Sequence, residues 1–364
     1  MKLNSFIIIK FLNVIIFLLI SFIIYLGHIL FDDKEYFDLK YSSILKTLNY
    51  NVIKKKIRIA IYVVTISGGG RARMTSLLTN YLHKIKIFKV YLFTNFKSKN
   101  EYIIPKDTTR ALIKNNLIQN IEKYKIDILI HNQICLSEIK QLNQLQNIKV
   151  IFYLHHALFA YIYTNITYFK EVYTEFKKSK YIVNLVPYEN DYLFKRWGIR
   201  SFYLHNFITY DYNSIVPSDL SKKIILMVGR ANCKLKRFNL GIEAMKFIIN
   251  EVPDSQLNII SISKPKKYKE LIHSLNLEKN VKFDSFTFSP EIFFKNASLH
   301  IFPTKYETFG LVLAETKIFG IPNILLGLNY VSISKGGTIT EKVWEFPVKI
   351  FLNYHKYKFS KNHF

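Results

Sequence analysis

The stretch Ile301–Leu326 reads IFPTKYETFGLVLAETKIFGIPNILL. Leu299 to Phe302 is an apolar run stopped by Pro303, which predicts a buried strand. A polar loop follows over Thr304 to Thr308. From Gly310 to Phe319 the apolar residues fall at helical spacing, and Gly320 and Pro322 end the helix. Ile324 to Leu326 begins a second strand. A strand, loop, helix and strand in this order leave a ligand-sized mouth where strand meets helix. Two carboxylates belong to that mouth, Glu307 in the loop and Glu315 in the helix, with seven residues between them. Phe309, Gly310 and Leu311 open the helix, where backbone N–H groups lack intrahelical partners and can face a ligand. Gly310 lets the backbone approach that ligand closely. Acids beside a helix N-terminus suit a polyhydroxyl ligand carrying phosphate, the N–H groups taking the anion and the acids accepting from hydroxyls.

The same string resembles the Glu-x7-Glu signature of the retaining family 4 glycosyltransferases of GT-B fold. The match takes in Glu307, Phe309-Gly310-Leu311, Glu315, Gly320 and Pro322. It departs after the second glutamate, where Thr316-Lys317-Ile318-Phe319 stand in place of the usual alanines and small residues. The resemblance implies an α/β fold of two Rossmann-like domains facing a cleft, with a nucleotide-sugar donor held mainly by the second. It implies that Glu315 holds the ribose hydroxyls and Glu307 the sugar hydroxyls, and that no metal or other cofactor is needed. UDP- or GDP-sugar is the implied donor, and hexosyl transfer to a lipid-linked or glycan acceptor the implied reaction.

Other segments extend the resemblance across roughly Lys56 to Thr340. VGRANCKLKRFNLGIEAM is similar to the family's Gly-Arg…Lys segment, whose cations clamp the donor diphosphate; here they are Arg230 and Lys236. A diphosphate calls for two cationic donors, and Arg offers a forked set of N–H groups. Lys234 and Arg237 stand close enough in sequence to substitute for Lys236. Near the start, Arg58 to Val64 reads as a strand, Ser67 to Gly70 as a turn and Met74 to Leu82 as a helix, an arrangement that offers N–H groups to phosphate. GGGRAR there looks like the family's Gly-Gly-x-x-Arg loop, which puts Gly69 and Gly70 at the donor. His155 and His156 follow the strand Lys149 to Leu154, at the end where an open α/β sheet presents its ligand side. A family histidine at this strand end lies near the donor sugar, so either would match. His131 also ends a strand. Asn206 resembles the Asn of the family's Pro-Asn-Gly turn, although both Pro and Gly are missing.

The remaining pattern is alternating: helix over Leu112 to Tyr124, strand over Asp127 to His131, helix over Leu136 to Leu145, and short strands over Tyr181 to Val186 and Phe202 to His205. The second half restarts with strands at Lys223 to Val228, Leu257 to Ile262 and Val281 to Phe286, and a helix over Leu240 to Ile249. Strands alternating with helices predict parallel sheets covered on both faces. The expected division is 1–31 membrane anchor, 32–56 tether, 57–206 first domain, 207–220 linker and 221–364 second domain. After Gly336-Gly337 the chain loses helical periodicity, and the family's long C-terminal helix has no counterpart in it.

Phe11 to Phe31 is about one bilayer thickness of apolar residues, read as an uncleaved anchor because no small-x-small cleavage site follows. Lysines flank both ends, so the positive-inside rule nearly ties. With 52 Lys+Arg against 26 Asp+Glu the net charge is +26, which suits an anionic membrane surface, lipid phosphate or nucleotide. Nucleic acid is the weaker reading, since no helix-turn-helix, zinc-ligand or RNP string is present. Cys135 and Cys233 form no disulfide framework, which favours a reducing compartment and cytoplasmic catalytic domains. The expectation is therefore a single-pass membrane-anchored glycosyltransferase. An inactive nucleotide-sugar-binding scaffold of the same fold is the alternative.

Overall fold

The computed structural model describes residues 56–326, apart from 115, 157–165, 205, 207, 209, 211–214 and 306, together with 338–340. The expected anchor and all of the tether but residue 56 lie outside the described residues, as do 207, 209 and 211–214 of the expected linker. Among the described residues no helix is long and apolar enough to cross a membrane. The chain divides into two compact units. One holds the residues up to Ile66 with Arg71–Ile208, the other Ser67–Gly70 with the residues from Thr209 on.

The first unit is built on a seven-stranded sheet: β1 (Ile57–Tyr62), β2 (Phe88–Thr94), β3 (Thr109–Leu112), β4 (Ile128–His131), β5 (Lys149–Leu154), β6 (Tyr181–Asn184) and β7 (Phe202–Tyr203). Their order is β3-β2-β1-β4-β5-β6-β7, and every pairing is parallel. The central strands are mainly apolar, with Arg58, Lys89 and Lys149 confined to the first two residues of β1, β2 and β5, because helices cover both faces. Ile59, Ile61, Leu92, Phe93, Leu129 and Phe152 are all buried.

The second unit holds a six-stranded parallel sheet in the order β10-β9-β8-β11-β12-β13. Its strands are β8 (Ile224–Val228), β9 (Gln256–Ser261), β10 (Val281–Ser285), β11 (Leu299–Phe302), β12 (Asn323–Leu326) and β13 (Thr338–Thr340). Helix Phe238–Glu251 presses Phe238, Ile242, Met245 and Ile248 into the core beside Met227 and Ile259.

Two doubly wound parallel sheets are what the alternating pattern predicts. One segment differs: Leu112 to Tyr124 is not a single helix. Thr109–Leu112 is the edge strand β3, and the helix runs only over Leu117–Lys123. Four residues on an edge, with one face exposed, carry too short an alternation to declare themselves. Helices Ile166–Phe176, Pro187–Trp197 and Lys266–Ser274 also escape the sequence reading, as does the short turn of helix Glu291–Phe294.

Candidate functional site

Each sheet has one place where the chain turns from building outward on one side to building outward on the other. In the second unit it lies between β8 and β11, which pair directly while their continuations run to β9 and β12. At such a switch point the loops beyond the two strand ends splay apart and leave a crevice.

The loop after β8 contains Arg230 and a short 3-10 turn, Lys234–Lys236, closed by Arg237 in a left-handed conformation, φ 46°. The loop after β11 runs from Pro303 to Gly310. The two are stitched together. Arg237 donates from Nε to the Pro303 carbonyl at 2.7 Å and from Nη2 to the Thr304 carbonyl at 3.2 Å. The Lys305 amide donates to the Leu235 carbonyl at 2.7 Å. This fastening places Lys236 Nζ 2.6 Å from Glu307 Oε2, and 5.0 Å over the ring of Phe302. Both charged side chains are about four-fifths buried, 19% and 23% exposed.

Glu307 and Lys236, 71 residues apart in sequence, are thus brought together. Arg230 is exposed, and among the described residues its side chain makes no hydrogen bond. Arg237 is not a spare phosphate ligand. Its guanidinium is spent on two carbonyls, and burial holds its pKa below the ordinary arginine value. Lys234 is exposed.

Helix Leu311–Ile318 starts at Gly310, whose φ of 78° is left-handed and favours glycine. No side chain caps this end, where the first N–H groups of a helix lack intrahelical partners. Phe309 is buried ahead of the turn, Leu311 is half-buried as the first helical residue, and Glu315 is 3% exposed one turn further in. Beneath the helix, Asn323 Oδ1 lies 2.6 Å from His300 Nδ1 and accepts from the Thr316 hydroxyl at 2.8 Å. The unexpected Thr316 therefore has a structural role. His300 is fully buried, and that burial lowers its pKa to about 4; the Asn323 contact opposes the shift and the nearby Lys236 adds to it.

In the first unit the switch point lies between β1 and β4. After β1 come Gly68 and Gly69, with φ of 64° and 82°, both left-handed. Gly70 begins the helix Gly70–Lys84. Arg71, in its first turn, donates to Gln133 Oε1 after β4 at 2.7 Å and stands 3.5 Å from His156 Nε2 after β5. Arg71 and Gln133 were not among the sequence candidates. GGGRAR contains the only signal, an arginine in the first turn after a glycine loop.

The two histidines differ. His156 is exposed, whereas His155 is half-buried with its ring 4.3 Å from that of Tyr153. Burial first, then the charges of Arg71 and His156, hold the His155 pKa well below the usual histidine value. It is therefore neutral at pH 7 and suited to a hydrogen bond rather than to charge pairing. His131 is a framework residue: fully buried, with Nε2 2.9 Å from Glu138 Oε2 and Nδ1 3.0 Å from the Gln133 carbonyl. Glu138 also accepts from the Tyr62 hydroxyl at 2.9 Å. Asn206 is buried, its Oδ1 3.5 Å from the Tyr153 hydroxyl.

Residues 212–327 match the family described as Glycosyl transferases group 1. A curated relative, the poly(glycerol-phosphate) alpha-glucosyltransferase of Bacillus subtilis (strain 168), is 28% identical over 116 residues. That match spans 32% of this chain and only 17% of the length of the relative. Sucrose-phosphate synthase from Thermosynechococcus elongatus superimposes with a TM-score of 0.63 at 17% identity, over 79% of this chain and 87% of that one. Alr3699/HepE of Anabaena, solved in complex with UDP-glucose, gives 0.62 at 14% identity over 82% and 89%. At these identities the solved structures establish the fold, which is that of GT-B glycosyltransferases.

Proposed function

We propose that the protein is a retaining glycosyltransferase that moves a sugar from a UDP- or GDP-sugar to a lipid-linked or glycan acceptor at a membrane. One observation carries the reading. At the switch point of the second sheet, the loop after β8 carries Arg230 and Lys236, and the loop after β11 carries Glu307, paired with Lys236, and leads through the uncapped helix start at Gly310 to the buried Glu315. Cations, the N–H groups of an uncapped helix start and carboxylates on the loops of one switch point match the three parts of a nucleotide sugar: diphosphate, sugar hydroxyls and ribose. The group 1 match covers this same segment.

In this reaction the bond from the anomeric carbon to the donor phosphate breaks, its electron pair staying on the phosphate. The acceptor hydroxyl forms the new bond on the same face, and its proton passes to the leaving phosphate. Arg230 and Lys236 stabilise the charge gathering on the diphosphate, an electrostatic role that a preorganised site performs well. With two cations for two phosphates, we expect turnover to persist in the presence of a chelator. Glu307 accepts from sugar hydroxyls while holding Lys236 in place, and Glu315 accepts from the ribose.

The curated relative's name, a glucosyltransferase acting on poly(glycerol-phosphate), supports a hexose donor and a phosphate-bearing acceptor. The apolar run Phe11 to Phe31 and the charge of +26 support a membrane-anchored enzyme with its body on the cytoplasmic side.

The decisive measurement is calorimetric binding with a panel of UDP- and GDP-sugars, followed by sugar release with each binder. One nucleotide sugar should bind and turn over, and Arg230→Ala with Lys236→Ala together should abolish turnover in a folded protein. Binding without turnover would make the chain an inactive scaffold. Binding of none would remove the reading.

A further inference from the structure

The connection from β2 to β3, residues 95–108, crosses back along the sheet without a helix. Most such crossovers bury an apolar helical stripe. This one turns apolar side chains outward. Ile103 is 85% exposed, and Phe96, just past β2, and Leu112, at the end of β3, are each about half exposed.

The loop is nonetheless firmly held. The Ile103 carbonyl accepts from the Ser76 hydroxyl at 2.6 Å and from Asn80 Nδ2 at 2.8 Å, two donors one turn apart on the helix Gly70–Lys84. Glu101 accepts from the Ser98 amide and pairs with Arg110, which also donates to the Phe96 carbonyl at 3.2 Å. The backbone is fastened inward at the residue whose side chain points to solvent.

The charges around this loop are predominantly basic. Lys97, Lys99, Lys106 and Lys114 are exposed, and among the described residues none makes an ion pair. Of the two acids of the segment, Glu101 is paired with Arg110, and Asp107, exposed, lies 3.1 Å from His83, so four lysines stand against one exposed carboxylate. Apolar tips set among unneutralised lysines match an anionic bilayer, where the lysines meet headgroups and Ile103 and Phe96 enter the acyl boundary. A soluble polyanion would satisfy the lysines but leave the apolar tips in water.

We infer that residues 95–114 form a surface that docks the first unit onto an anionic lipid leaflet. This deepens the membrane reading above and rests on it. The docking would bring the segments beyond the C-terminal strand ends, which hold Arg71, Gln133 and His156, toward the leaflet, since Phe96 follows β2 and Leu112 ends β3 at that same side.

The test uses the full chain with Ile103→Trp, reconstituted into vesicles whose acyl chains are brominated. The parent's own two tryptophans set the baseline. Quenching beyond that baseline should be seen with phosphatidylglycerol vesicles and be absent with phosphatidylcholine. Lys97→Gln, Lys99→Gln and Lys106→Gln together should shift the docked-to-undocked ratio about a hundredfold, at roughly fivefold per lysine. High salt should abolish the excess quenching.

Equal quenching in both lipids, or none in either, overturns the proposal. So does a blue-shifted emission without lipid, which would mean that the chain covers its own patch. A shift produced by soluble poly(glycerol phosphate) alone would assign the surface to a polymer and overturn it as well. Nucleotide-sugar binding is measured on the same samples and should match the parent. Loss of docking with donor binding intact removes this inference alone. Absence of donor binding with docking intact removes the glycosyltransferase reading alone.

Discussion

Replacing Glu307 by Gln separates two roles that a single glutamate would otherwise confound. The carboxylate lies 2.6 Å from Lys236 Nζ, with both side chains about four-fifths buried. At an effective dielectric constant near 20 the gross attraction at this distance is about 6 kcal/mol. Removing both charges from most of their water costs several kcal/mol per ion, so the net coupling falls to about 1–2 kcal/mol. A double-mutant cycle of Glu307→Gln and Lys236→Met, followed by urea unfolding, should return that coupling.

The functional outcome is sharper. Glu307→Gln removes a negative charge beside the phosphate position, so affinity for the free nucleoside diphosphate should hold or rise. Affinity for the nucleotide sugar should fall by roughly 10- to 100-fold, because an amide is a weaker acceptor for sugar hydroxyls than a carboxylate. Titration calorimetry with both ligands reads the two effects directly. Equal losses for diphosphate and nucleotide sugar would show that Glu307 serves only to position Lys236, and the sugar role would be refuted.

Three further outcomes follow from the same structure. Glu315→Gln should weaken donor binding by about 1.5–3 kcal/mol through loss of a charge-assisted hydrogen bond to ribose; unchanged affinity in a folded variant would exclude that contact. His300 has a folded pKa of about 4 against 6.5 unfolded. Below pH 6.5 the unfolded chain takes up a proton that the folded one refuses, so its contribution is full above pH 6.5 and is lost as pH falls toward 4. The loss is roughly 3 kcal/mol, and urea midpoints between pH 7.5 and 4.5 should flatten in His300→Asn; an unchanged slope would discount the burial argument.

The third outcome concerns the side of the membrane on which the body lies. In the sequon Asn296-Ala297-Ser298, Ala297 is fully buried and the Ser298 hydroxyl accepts from the Ile224 amide, so a glycan on Asn296 would disturb the sheet. No glycan is expected there, nor at the other sequon, Asn165-Ile166-Thr167, and protease should digest the body in intact vesicles. Protection until detergent is added, or a glycan at Asn165, would place the enzyme in the lumen.

Sequence by itself determined the class of fold and the likeness to a family. Apolar runs of strand length alternating with helix-spaced ones leave few options beyond doubly wound parallel sheets. The Glu307 to Glu315 string is local, so strand, loop and helix start could be read from neighbouring residues. Gly310 was legible as the glycine that opens the helix, but its left-handed φ of 78° comes from the structure.

Tertiary structure decided which charges meet. By charge and position alone Lys236, Arg237 and Lys234 are equivalent, three cations within four positions, and the family resemblance singled out Lys236 with the other two as substitutes. Only the packing of the loop after β8 against the loop after β11 sends Arg237 to two carbonyls and Lys236 to Glu307. The same holds for the histidines. His131 ends a parallel strand and His155 and His156 follow one, yet burial and the Glu138 carboxylate make the first a framework residue, while the last is exposed beside the Arg71 guanidinium. Strand order places these residues side by side, and a parallel sheet joins segments dozens of residues apart. Local periodicity carries no information about those partners, because it reports which face of an element is buried and not what lies across from it.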